Sequence, residues 1–135
     1  MSAPERWYSF AEEDLRMAEL ALGESLNNQT CFHAQQCVEK AMKALLLTVE
    51  PGAAPPRTHS VADLLKKLPA RIATKLPPGL ASTMDAFYLP SRYPDALPGD
   101  LPDGNPTLAQ AREALRLAKK TLEACRKESE PAPRA

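Results

Sequence analysis

The stretch "QTCFHAQQCVEKAMKALLLTV", residues 29–49, decides the fold class. It contains neither proline nor glycine, and its apolar residues Cys31, Ala34, Val38, Ala41, Met42, Leu45 and Val49 recur at steps of three and four. That spacing puts them on one stripe of a helix. Lys43 and Thr48 interrupt its most apolar part, "KALLLTV", so the helix falls short of the about 18 apolar residues of a membrane span. Gln35, Gln36, Glu39 and Lys40 lie between the apolar faces and form a polar patch on the same helix.

Working outward, "ESLNNQT" reads as a short turn in which Asn27 or Asn28 can cap the helix. Before it, Trp7, Phe10, Ala11, Leu15, Ala18, Ala21 and Leu22 form the core stripe of another long helix, with Pro4 suited to its start and Gly23 to its stop. So short a turn makes the two helices antiparallel neighbours, each roughly 27 to 32 Å long. Asp14 falls inside the first helix's apolar stripe, and a buried carboxylate must be paired or hydrogen-bonded. A polar layer inside or beside the bundle would serve Asp14 and the patch on the second helix together.

Proline in a helix interior costs on the order of 3 kcal/mol, so the remaining proline-free windows mark the other helices. After the loop "PGAAPPR", Ser60 and Asp63 make a capping box for a short third helix that turns Val61, Leu64, Leu65 and Leu68 inward. "PPGLASTMDAFYL" reads as a short fourth helix stopped by Pro90. The last helix is long: Leu108, Ala111, Leu115, Ala118, Leu122 and Cys125 alternate steps of three and four behind Thr107 as cap, with Gln110 reciprocating. No stretch alternates with period two for long enough to be a strand.

The sequence therefore predicts an all-α fold, an antiparallel helical bundle of four to five helices: two long N-terminal, two short, and one long C-terminal. One domain over residues 1–128 and a disordered tail over 129–135 are expected. Seventeen Lys plus Arg balance seventeen Asp plus Glu, so no global field draws the chain to nucleic acid or lipid. Three cysteines without framework spacing and no recognisable leader predict a cytoplasmic protein with reduced thiols.

Cys31, His33 and Cys37 are zinc-type ligands, but residues two apart on a helix point about 200° apart, so only His33 and Cys37 converge. Two ligands do not make a structural zinc site, and neither metal nor cofactor is expected. A Cys37–His33 nucleophile pair lacks an orienting group. His59, in "RTHS", reads as part of the helix-start turn. Arg112, Arg116, Lys119, Lys120 and Lys127 on the outer face of the last helix are interspersed with glutamates and read as a solvated face, the alternative being a phosphate track.

At "AEEDLRMAELAL", "CFHAQQCVEKAMKALL", "RTHSVADLL" and "YLPSRYPDA" the chain resembles the HEPN domain family of prokaryotes, in four blocks that cover most of residues 7–97. The resemblance implies a bundle of four or five helices, usually dimeric. It also implies a two-component, toxin–antitoxin-like role beside a minimal nucleotidyltransferase partner. Candidate nucleotide- or RNA-binding residues are Arg92, Tyr88, Tyr93, Asp95, Gln36 and Lys40, with Asp14 and Glu39 as structural polar residues and no catalytic residue. The alternative is a metal-independent ribonuclease using Arg92. The family's ribonuclease branch pairs an arginine with a histidine across four to six intervening residues, and from Arg92 that position falls at 97–99, where Leu97, Pro98 and Gly99 stand. Asp95 or His59 would have to move the proton instead. A third reading makes Arg92 structural, bridging to Asp14 or Glu39.

Overall fold

The computed structural model describes residues 1–88, 101 and 104–131. It contains helices α1 (Ala3–Gly23), α2 (Asn27–Val49), α3 (Val61–Lys67), α4 (Ala70–Ala73), α5 (Leu80–Asp85) and α6 (Leu108–Ser129). No strand occurs among the described residues, only an isolated bridge between Leu101 and Gly104. The all-α bundle is as expected, with α4 as an extra single turn after Pro69.

Helix α2 is the central rod, packed against α1, α6 and α3. Thirteen of its 23 residues are buried, so its burial extends well beyond the single stripe read from its periodicity. Trp7 of α1 lies beside Lys43 near the end of α2, while Asp14 meets His33 and Lys40, which fixes the antiparallel pairing of these two helices. Helix α6 runs antiparallel to α1: the Tyr8 hydroxyl donates to the Cys125 carbonyl at 2.9 Å and also bonds Ser129 Oγ. This explains why Tyr8, outside the expected stripe, is among the most buried side chains: α6 covers that flank of α1. Phe10 and Val49, both expected inside, are 48% and 39% exposed because no described element covers them.

The helix starts divide in the same way. Thr107 and Gln110 form the expected reciprocal box at α6. At α3, Ser60 Oγ accepts from the Asp63 N–H, but the return runs through Thr58, whose Oγ1 accepts from the Ser60 N–H and donates to Asp63 Oδ2. Neither asparagine caps α2, which starts after Leu26 with no side-chain cap. Asn27 instead donates from Nδ2 to the Pro106 carbonyl at 3.3 Å, tying the start of α2 to the approach to α6. Helix α1 stops at Gly23 as expected, yet Ser25 takes the left-handed conformation (φ 61°) that turns the chain.

Helices α3 and α5 pack together near α2, and one side chain joins them. Asp85, at the end of α5, accepts from the Val61 N–H at 2.6 Å, the Ala62 N–H at 3.1 Å and Ser60 Oγ at 3.1 Å. A carboxylate at a helix N-terminus satisfies orphan donors and meets the positive end of the dipole. It also fixes His59, one residue before the cap, relative to α5.

Candidate functional site: two carboxylate-anchored clusters on α2

Helix α2 carries two adjoining polar clusters. In the first, Asp14 is only 8% exposed, and its Oδ1 lies 3.0 Å from His33 Nδ1 and its Oδ2 2.5 Å from Lys40 Nζ. His33, Gln36 and Lys40 follow helical spacing, so α2 presents all three on one side. Gln36 donates from Nε2 to Gln35 Oε1 at 2.7 Å, while the Nε2 of the buried Gln35 has no partner among the described residues. The polar layer that Asp14 requires therefore exists, and His33 belongs to it through Asp14, not to a metal site or a base for Cys37.

The second cluster centres on Glu39, the residue before Lys40. Glu39 is 3% exposed; its Oε1 accepts from Lys43 Nζ at 3.3 Å and lies 2.5 Å from His59 Nδ1. A carboxylate can only accept, so Nδ1 carries the proton and Nε2 is left for other partners. The His59 ring stacks on Tyr88, with centroids 5.0 Å apart and planes at 24°. Partial burial, aided by the Glu39 charge, raises the Tyr88 hydroxyl above its ordinary value. Lys43 Nζ also sits 5.5 Å from the centroid of the Trp7 ring, a cation–π contact.

The structure thus joins Asp14 to Lys40, and links Glu39 to Tyr88 through His59. Arg92, Tyr93 and Asp95 lie outside the described residues. His59, read from the sequence as part of the helix-start turn and as a substitute base beside Asp95, is half-exposed and held by a buried carboxylate 20 residues away in sequence. No periodicity could have found that contact. Lys43 is likewise more than a break in an apolar run, and its signal was visible: it stands one helical turn after Glu39.

The cysteine readings resolve differently. His33 turns to Asp14, and Cys37 is fully buried, so they make no nucleophile–base pair. Among the described residues no group of three or more His, Cys, Asp or Glu could hold a metal. Burial pushes the Cys31 and Cys125 thiols up to about 12 and raises Cys37 as well. On α6, Arg116 hydrogen-bonds Glu113 and holds its carboxyl below the usual range. Lys75 pairs with Glu128 and Arg126 with Glu12, but of the five basic residues on the outer face of α6 only Arg116 forms an ion pair among the described residues.

The chain is thus a compact all-α bundle in which Asp14 of α1 and Glu39 of α2 each hold one histidine and one lysine, His59 reaching Glu39 from the loop before α3. The HEPN domain model matches residues 4–128, and the chain belongs to the HEPN family. It is 31% identical over 124 residues to the Methanocaldococcus jannaschii protein named "Putative toxin MJ1304", covering 84% of this chain and 79% of that one. Two crystal structures are similar. ST0689, an archaeal HEPN homologue, has a TM-score of 0.72 at 33% identity and covers 96% of this chain and 100% of its own. TT1696 from Thermus thermophilus has a TM-score of 0.74 at 34% identity, with 95% and 99% covered. Among the described residues no helix is long and apolar enough to cross a membrane.

Proposed function

We propose that this protein is the HEPN component of a two-component, toxin–antitoxin-like system in the cytoplasm. In this reading it is a homodimer that binds a minimal nucleotidyltransferase partner and receives nucleotide or RNA at the polar side of α2, without catalysis of its own. Family membership and the similarity to a relative named as a toxin support the toxin-like part. The observation that carries the binding part is the cost of the two clusters. Burying a carboxylate costs several kcal/mol before its partners offset it, and apolar side chains at Asp14 and Glu39 would pack the bundle more simply. Instead both carboxylates hold cationic or ionisable groups with their outer parts open, Lys40 at 26% and His59 at 50% side-chain exposure. Such groups complement phosphate. Tyr88 adds a stacking ring to the Glu39 cluster, and Arg92, Tyr93 and Asp95 follow it in the sequence.

One observation favours the ribonuclease as a second reading. Glu39 and His59 form an oriented carboxylate–imidazole pair, the type of group that proton transfer from a 2′-hydroxyl requires and that residues 97–99 lack. An RNA-cleavage assay with wild type, Arg92→Ala and His59→Ala separates the two. RNA binding without cleavage supports the binding protein; robust cleavage lost in both variants overturns it in favour of the ribonuclease.

A further inference from the structure

Helix α1 carries a second stripe, which the bundle leaves open. Arg6, Phe10, Glu13, Met17, Leu20 and Glu24 follow alternating steps of four and three, the spacing of a helix–helix seam. Phe10, Met17 and Leu20 are 48%, 48% and 49% exposed. Scattered apolar residues are ordinary on a surface, but three on one seam are not scattered. Arg6, Glu13 and Glu24 are exposed, and none forms an ion pair among the described residues.

The order of these residues selects the occupant. With a two-fold axis across α1 near Leu15, an antiparallel second copy sets Arg6 against the partner's Glu24, Phe10 against the partner's Leu20, and Glu13 against the partner's Met17. Each contact occurs twice, as an isologous interface requires. A parallel copy would instead oppose Arg6 to the partner's Arg6 and Glu24 to the partner's Glu24. A cavity of about 280 Å³ lined by Ala3, Arg6, Trp7 and Phe10 lies at the end of the seam that the partner's Leu20 and Glu24 would reach.

We propose that this face of α1 is the seam of a homodimer in which the α1 helices of two copies run antiparallel. The proposal rests on the homodimer reading above and gives that dimer its geometry. From Arg6 to Glu24 the seam is about 27 Å long. One helix pair of that length covers less than the about 800 Å² per partner of a standard interface, so the dimer is reversible and dissociates on dilution.

Sedimentation velocity of the full chain at low salt, from about 1 to 200 µM, tests this across the range expected of a modest interface. Wild type is expected to show a concentration-dependent dimer. Arg6→Glu and Glu24→Arg should each weaken it at least about fivefold by opposing like charges, and the double swap should return to within about threefold of wild type. Phe10→Glu with Met17→Glu should abolish the dimer while circular dichroism shows the fold intact. A wild-type dimer indifferent to all these substitutions overturns the α1 seam and leaves the homodimer reading standing. A monomer at the highest concentration overturns both.

Discussion

Asp85→Ala is expected to destabilise the protein far more than a half-buried aspartate outside the core would ordinarily suggest. The side chain accepts three hydrogen bonds: from two N–H groups of the first turn of α3 and from the hydroxyl of its cap, Ser60. Losing a helix cap costs about 1 to 2 kcal/mol, and a hydrogen bond to a charged group about 1.5 to 3 kcal/mol. These overlap, because Ser60 Oγ still accepts from Asp63 and water can reach some of the freed donors, so about 2 to 4 kcal/mol is expected in total. For 135 residues the unfolding entropy is about 0.28 kcal/mol/K, which makes 1 kcal/mol worth about 3.5 °C and the whole loss about 7 to 14 °C in Tm. Asp85→Asn keeps an acceptor oxygen but loses the charge, and is expected to lose about half as much. Thermal unfolding followed by far-ultraviolet circular dichroism measures both. A drop below about 3 °C for Asp85→Ala, or equal drops for the two variants, would refute the claim that a carboxylate cap joins α3 to α5.

Other expectations follow from the same contacts. Glu39→Ala leaves the buried Lys43 ammonium without its carboxylate and should cost about 3 to 5 kcal/mol, whereas His59→Ala, at a half-exposed ring, should cost under about 1 kcal/mol; urea denaturation of both compares them. No cysteine should react with a thiol reagent at pH 8 in the native state, and all three should react in guanidinium, because each is fully buried with its thiol raised. These raised thiols also set a sign for pH dependence. The folded state keeps protons that the unfolded state releases above about pH 9, so stability is intact below pH 9 and falls as pH rises, by up to about 1.4 kcal/mol per pH unit for each thiol. A Tm that stays level from pH 8 to about 10.5 contradicts this assignment.

The bundle was legible because its evidence is local. Missing prolines, three-and-four spacing and the Thr107–Gln110 box each require only a few consecutive residues, and each appears in the structure. What escaped depends on the neighbour a residue faces. Tyr8 and Phe10 stand two apart on α1 with similar apolar character, and α6 covers the first while leaving the second open. Asn27 could not be told from a cap without knowing that the Pro106 carbonyl lies within its reach.

The candidate site divides in the same way. Asp14, interrupting an apolar stripe, announced a polar layer, and the spacing of Gln36 and Lys40 supplied part of it. His59 sits in a loop with no periodicity, and its tie to Glu39 depends on where Asp85 anchors the start of α3. A contact set by a third side chain leaves no pattern in the sequence around either partner.

The two-component reading is tested most directly by a native pull-down of the tagged, full-length protein from its source cells, with the co-purifying proteins identified and weighed by mass spectrometry. The account predicts a minimal nucleotidyltransferase in fixed proportion to the HEPN chain, encoded in a neighbouring gene. Recovery of the HEPN protein with no nucleotidyltransferase, from cells that encode none beside it, would contradict it.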